Sequence, residues 1–248
     1  HCRPGLPICS VTKGIENDTL FRPSQVLADV LTGSPDGDWP LAVLSGPCIA
    51  REVARGLPAT VVAASTDETL AAKVQALFVT SYFRVYTNTD LVGVEVAGAT
   101  KNVVAIAAGI LDGLRAGDNA KAALLTRGLV EITRLGMALG GRRETFAGLA
   151  GLGDLVTTCV SPFGRNRSFG EAVGTGQTVE QALCSSAGVV EGVATTKSVV
   201  ELAHRHAVEM PITRAVAAVL SGSLSPADAV TQLMSRPPRT EEELGRAP

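Results

Sequence analysis

Histidine, cysteine and clustered charge are all scarce in this chain, and each shortage removes a class of function. The five cysteines, Cys2, Cys9, Cys48, Cys159 and Cys184, are odd in number and fall into no C-x-x-C or Cys/His spacing. That excludes a disulfide framework and a zinc site and points to a reducing compartment. Of the three histidines, His204 and His206 lie two apart in a predicted helix, where their side chains do not face each other, and His1 stands alone. No metal is expected. The net charge is −2 with the basic residues dispersed, so there is no basic patch for nucleic acid or an anionic membrane. The longest apolar run, around Val103 to Leu111, is about half the ~20 residues of a bilayer crossing, so no membrane span is expected. A small molecule is left as the partner.

The 248 residues suffice for one large domain or two small ones, and the pattern favours two. Apolar runs at Leu6 to Thr12, Leu41 to Pro47, Thr60 to Ser65 and Phe83 to Asn88 read as strands. Helical segments separate them near Pro23 to Leu31, Ile49 to Arg55, and from the cap Asp67 to about Val79. Such alternation predicts a mostly parallel α/β sheet covered on both faces. After Asn88 the strands stop. Asp90 is a helix cap before Leu91 to Leu111, and a second long helix runs from about Asn119 to Leu139, ending at Gly140-Gly141. Shorter helices follow at Glu144 to Ala150, Phe169 to Thr175, Val179 to Leu183, Thr195 to His206 and Ile212 to Leu220. A last one opens at Ser225-Pro226-Ala227-Asp228. The predicted fold class is therefore α/β plus all-α, with an α/β part over 1–88, an all-helical part over 89–235 and a loose charged tail over 236–248.

Three places could carry chemistry. The stretch LAGLGDLVTTC, read as a glycine-rich turn, and the nearby SPFGRNRSFG offer Asp154, Thr158, Arg165 and Asn166. These residues suit a pocket for a small polar anion, or equally a surface loop with a capping aspartate and solvated arginines. Lys101 shares a helix face with Val94, Gly98, Ala105 and Ala108. It either snorkels from the helix edge or sits desolvated, with a neutral form accessible near neutral pH as a general acid/base requires. Lys13 and Ser45-Gly46-Pro47 follow two strand ends, where open α/β sheets receive ligands, although either can be a simple turn.

The blocks KGIE, LSGPCIAREVARGLPATVVAAS, VGVEVAGATKNVVAIAAGILDGL, LAGLGDLVTTC, RNRSFG and VVEGVATTKSVVELA, in that order over nearly the whole chain, resemble the bacterial type of NAD(P)-dependent sn-glycerol-3-phosphate dehydrogenase. The resemblance implies the C-terminal part of a Rossmann-like NAD(P)-binding domain followed by a helical substrate domain. It implies reversible reduction of dihydroxyacetone phosphate to glycerol 3-phosphate for glycerophospholipid synthesis, in a cytoplasmic homodimer. By the same resemblance Lys101 is the acid/base, and Asp154 holds it and the substrate. Lys13, Gly46, Thr158, Arg165 and Asn166 contact the substrate, while Lys13, Ala50, Arg165, Val189 and Glu191 contact the cofactor.

The sequence departs from that pattern in three ways. Cys48 stands where serine or threonine is usual, Gly164 replaces a residue that is often serine, and no strand leads into G-x-G-x-x-G. The last departure, with the interior character of LPICSVTKG, leads us to expect a piece of a longer chain that binds NAD(P) poorly by itself. Two other readings keep different predictions: a cofactor-free protein that binds a phosphorylated triose or a partner, and a dehydrogenase of non-phosphorylated hydroxyacids with similar architecture.

Overall fold

The computed structural model describes residues 5–238, 240 and 241. His1, Cys2 and most of the expected tail lie outside the described residues. The first part comprises β1 (Ile8–Ser10), α1 (Pro23–Thr32), β2 (Leu41–Ser45), α2 (Ala50–Val53), β3 (Ala59–Ala64), α3 (Glu68–Phe78) and β4 (Phe83–Asn88). Among the described residues helices alone follow: α4 (Leu91–Gly113), α5 (Asp118–Ala138), α6 (Arg143–Ala147), a π-helical turn (Leu149–Gly153) and α7 (Asp154–Val160). After these come α8 (Arg165–Gly174), α9 (Val179–Ser185), α10 (Glu191–Arg205), α11 (Pro211–Leu220) and α12 (Pro226–Met234).

The strands lie side by side in chain order, with β1 parallel to β2 and β3 parallel to β4. The pairing between β2 and β3 is antiparallel, which corrects the expectation of a mostly uniform parallel run. The cause is the link between them. Its helix, α2, has four residues and rises about 6 Å, too little to carry the chain back along a strand before the next begins. Both faces are covered as expected. One buries Ala42, Val61, Ala63 and Val85 against Leu70 and Val74 of α3, and the other buries Val43, Val62 and Ala64 against Val94 of α4 and Ala150.

Helix α4 is the axis of the molecule. It is long and apolar enough to cross a membrane, yet it is enclosed by protein, and every residue from Gly93 to Leu111 is buried. Its N-terminus is fixed by Asp90, whose Oδ1 accepts from the Gly93 N–H at 2.8 Å. The other oxygen of Asp90 accepts from the Arg142 N–H (2.8 Å) and the Thr145 hydroxyl (2.7 Å), tying α4 to the start of α6. Buried Glu95 accepts from the Ser24 N–H and hydroxyl and from the Arg22 guanidinium, anchoring α1. Against α8 the approach is backbone to backbone: a Cβ on Gly109 would meet the Arg167 carbonyl at 1.9 Å, and one on Gly170 would meet the Ile106 carbonyl at 2.1 Å. Only glycine fits there. The two helices therefore cross closely enough that α8 carries its first turn to the side of Lys101.

Candidate active site

Because β1 and β2 are parallel, their carboxyl ends share one edge, and Lys13 donates to the Gly46 carbonyl across it at 3.2 Å. Gly46 has φ +136°, a left-handed conformation that glycine tolerates, and a Cβ there would approach Val61 Cα at 3.0 Å. The two strand ends named from the sequence are thus joined. Beside them Gly98, one turn before Lys101, leaves room for the Lys13 stem, which its Cβ would meet at 3.5 Å, and for the Ser45 hydroxyl at 3.1 Å.

Residues 149–159, expected as a glycine-rich turn, are helical: a π turn leads without a break into α7. Gly151 permits this, since a Cβ there would lie 2.1 Å from the Phe146 carbonyl. Helical geometry then puts Asp154 and Thr158, four apart, on one face toward α4. One carboxylate oxygen of Asp154 accepts from Lys101 Nζ and the other from Lys13 Nζ at 2.6 Å. Thr158 accepts from Lys101 at 2.7 Å and donates to the Asp154 carbonyl at 2.6 Å. Its hydroxyl proton is therefore committed to the backbone, and its evident effect is to hold Lys101.

Lys101 is 6% exposed and Asp154 2% exposed, which settles the choice between a snorkelling and a desolvated lysine in favour of the latter. Burial lowers the proton affinity of Lys101, the charge of Lys13 lowers it further and Asp154 opposes both, leaving its pKa at about 8. Two lysines on one carboxylate leave a net positive cluster. It faces a cavity of about 980 Å³ that is also lined by Ala50, Asn102, Arg165, Asn166 and Glu191.

Arg165 and Asn166 form the first turn of α8, where the sequence suggested a loop before a helix at Phe169. Arg165 Nη2 pairs with Glu191 Oε1 at 2.6 Å on the cavity rim. Asn166 accepts from the Gly192 N–H at 2.9 Å, which leaves its amide N–H groups for a ligand. Of the ten residues expected at the site, Gly46 and Val189 stand outside the cavity lining. Gly46 acts through its carbonyl, and Val189 is exposed just before α10. Cys48 lines the cavity, where burial raises its thiol pKa, and so does Gly164.

Two family models match: the NAD-dependent glycerol-3-phosphate dehydrogenase N-terminus over residues 1–71 and the C-terminus over residues 90–231. The chain belongs to the NAD-dependent glycerol-3-phosphate dehydrogenase family. A relative from Salinibacter ruber named glycerol-3-phosphate dehydrogenase (NAD(P)+) 1 is 53% identical over 244 residues, 98% of this chain and 71% of the relative. One from Thermobifida fusca is 52% identical, over 96% of this chain and 70% of its own length. The crystal structure of glycerol-3-phosphate dehydrogenase from Coxiella burnetii superposes with a TM-score of 0.86 at 43% identity, covering 93% of this chain and 69% of that one.

Two further side chains stand at or beside the site: Asn102, a polar handle beside Lys101 with no role assigned from the sequence, and Ser45. Asn102 lines the cavity next to Lys101; its adjacency in a KN pair was visible, but its direction depends on how α4 is packed. The Ser45 hydroxyl is buried and has no hydrogen-bond partner. Its position before Gly-Pro drew attention to the turn and not to the serine. Among the described residues no three His, Cys, Asp or Glu side chains converge as a metal site would require.

Proposed function

We propose that the chain reduces dihydroxyacetone phosphate reversibly to sn-glycerol 3-phosphate, with Lys101 as the proton donor and acceptor. The observation that carries this is Lys101 itself, a buried ammonium held by Asp154 and Thr158 at a cavity with a net positive wall. Its pKa of about 8 places both protonation states within reach of physiological pH.

The residues present fit the nicotinamide end of NAD(P). The cavity opens at the carboxyl ends of two parallel strands, where such cofactors bind, and its volume exceeds what a triose phosphate alone would fill. An orphaned buried hydroxyl, that of Ser45, stands at the same edge. Lys13, Ala50, Arg165 and Glu191 of the lining, with Val189 outside it, would hold the cofactor; the glycine fingerprint for the pyrophosphate is absent from these residues. When bound, the nicotinamide supplies or accepts the hydride. The chain's own residues manage the proton. Protonated Lys101 gives its proton to the substrate oxygen as the carbonyl becomes a hydroxyl, and the neutral amine takes it back in the reverse direction. Asp154 keeps Nζ oriented throughout. Arg165 exchanges Glu191 for the substrate phosphate, with Asn166 as a neutral donor beside it.

Residues 1–88 would then serve the cofactor and 89–235 the substrate, in a cytoplasmic homodimer that feeds glycerophospholipid synthesis. Family membership supports this wider reading. Replacing Arg165 by leucine should lower kcat/KM for dihydroxyacetone phosphate about 100-fold, the worth of a charge-assisted pair. Turnover of unphosphorylated dihydroxyacetone, which has no phosphate to pair, should barely change. Equal losses on both compounds would remove Arg165 from phosphate recognition.

A further inference from the structure

We infer that Lys13 is a positioning residue for proton transfer: through the carboxylate it shares with Lys101, its ammonium group eases the loss of the Lys101 proton. The inference rests on Lys101 as the acid/base and assigns Lys13 an electrostatic task distinct from touching a ligand.

The two ammonium groups occupy the two oxygens of a single carboxylate, Lys101 on Oδ1 and Lys13 on Oδ2. One negative charge thus faces two positive ones at hydrogen-bond distance. Like charges that close favour loss of a proton from the more deeply buried group. The two differ in burial: the Lys101 side chain is 8% exposed on an apolar helix, whereas that of Lys13 is 24% exposed and also donates to the Gly46 carbonyl.

No other group around Lys101 competes for this task. The Cys48 and Cys159 thiols are the remaining titratable neighbours, and burial raises both, Cys159 to about 12. Arg165 and Glu191, on the cavity rim, are paired with each other. Burial, and after it the charge of Lys13, hold the Lys101 pKa below the ordinary lysine value.

The test is a titration of the chain labelled with 13C at the lysine ε-carbons, read by NMR; five lysines give few resonances to assign. Lys13→Met should move the Lys101 titration upward by about one pH unit or more. Lys13→Gln, a second neutral replacement, should give the same shift, and Lys13→Arg, which restores the charge, should bring Lys101 back near its original value. A Lys101 titration unmoved in both neutral variants, or moved equally by arginine and methionine, would overturn the role. A purely structural lysine would not separate charge from shape in this way. The measurement needs neither substrate nor nicotinamide, so failure of the dehydrogenase reading would leave it intact, and its own failure would remove only the task given to Lys13.

Discussion

Gly170→Ala is a one-carbon change remote from every reacting atom, and it should damage both stability and turnover. A Cβ at Gly170 would stand 2.1 Å from the Ile106 carbonyl oxygen, where ordinary contact begins near 3.4 Å, so the helices must part by roughly 1.3 Å. No slack exists to absorb this. Along the same seam Gly109, Gly113 and Gly174 are already in backbone contact, with Cβ positions 1.9 Å, 2.4 Å and 2.5 Å from the facing carbonyls. Overpacking of this kind costs about 1–3 kcal/mol, and here backbone rather than a flexible side chain must yield, so the upper end applies. Asn166 and Arg165 lie one turn away on α8, and a displacement of about 1 Å there lowers turnover about 100-fold. Urea unfolding reads the first effect and steady-state kinetics the second. Gly148→Ala is the control, since its Cβ would meet nothing closer than 3.4 Å at an ordinary φ of −90°, and it should cost under about 0.5 kcal/mol. A Gly170→Ala enzyme as stable and as active as the parent would refute the claim that this crossing holds the site.

Further consequences concern pH. If protonated Lys101 is the acid, the rate of ketone reduction falls as pH rises through about 8, while alcohol oxidation rises over the same range; parallel profiles in the two directions would contradict the assignment. Glu131 of α5 is buried and accepts from the Ile212 and Thr213 N–H groups at the start of α11 (2.6 and 3.2 Å), and burial pushes its pKa up to about 7. Its folded value thus lies above the unfolded one, so the native state holds the extra proton. The resulting stability is full below about pH 4.5 and is lost as pH rises through 7, a change on the order of 3 kcal/mol. Urea titrations at pH 5 and 7.5 should show that loss in the parent and a much flatter response in Glu131→Gln.

Much of this architecture is legible in the sequence because its signals are local. Asp67, Asp90 and Ser225 each cap the helix expected of them, with side-chain oxygens accepting from Thr69, Gly93 and Asp228. The small face around Lys101 was legible but left its burial as one of two readings, and the packing at Gly98, which admits the Lys13 stem and the Ser45 hydroxyl, is what encloses it. Other features depend on contacts far apart in the chain. The antiparallel turn of β3 follows from how little a four-residue helix can span, and helix length is uncertain where glycine and proline crowd the segment. The GLGD stretch looked like a turn because glycine is usually a turn signal. Here Gly151 serves close packing on the Phe146 backbone, and the i, i+4 spacing of Asp154 and Thr158 was the better guide. The carboxylate shared by Lys13 and Lys101 joins residues 141 and 53 positions away from Asp154, which no local pattern encodes.

The most direct test of the whole account is Lys101→Met, measured with dihydroxyacetone phosphate and NADPH or NADH. Methionine keeps the length of the stem and the packing of α4 while removing the proton carrier. The account predicts a loss of at least about 100-fold in kcat, with fluorescence titration giving a nearly unchanged Kd for the nicotinamide. A variant that turns over at the parent's rate would contradict the claim that this buried lysine moves the proton.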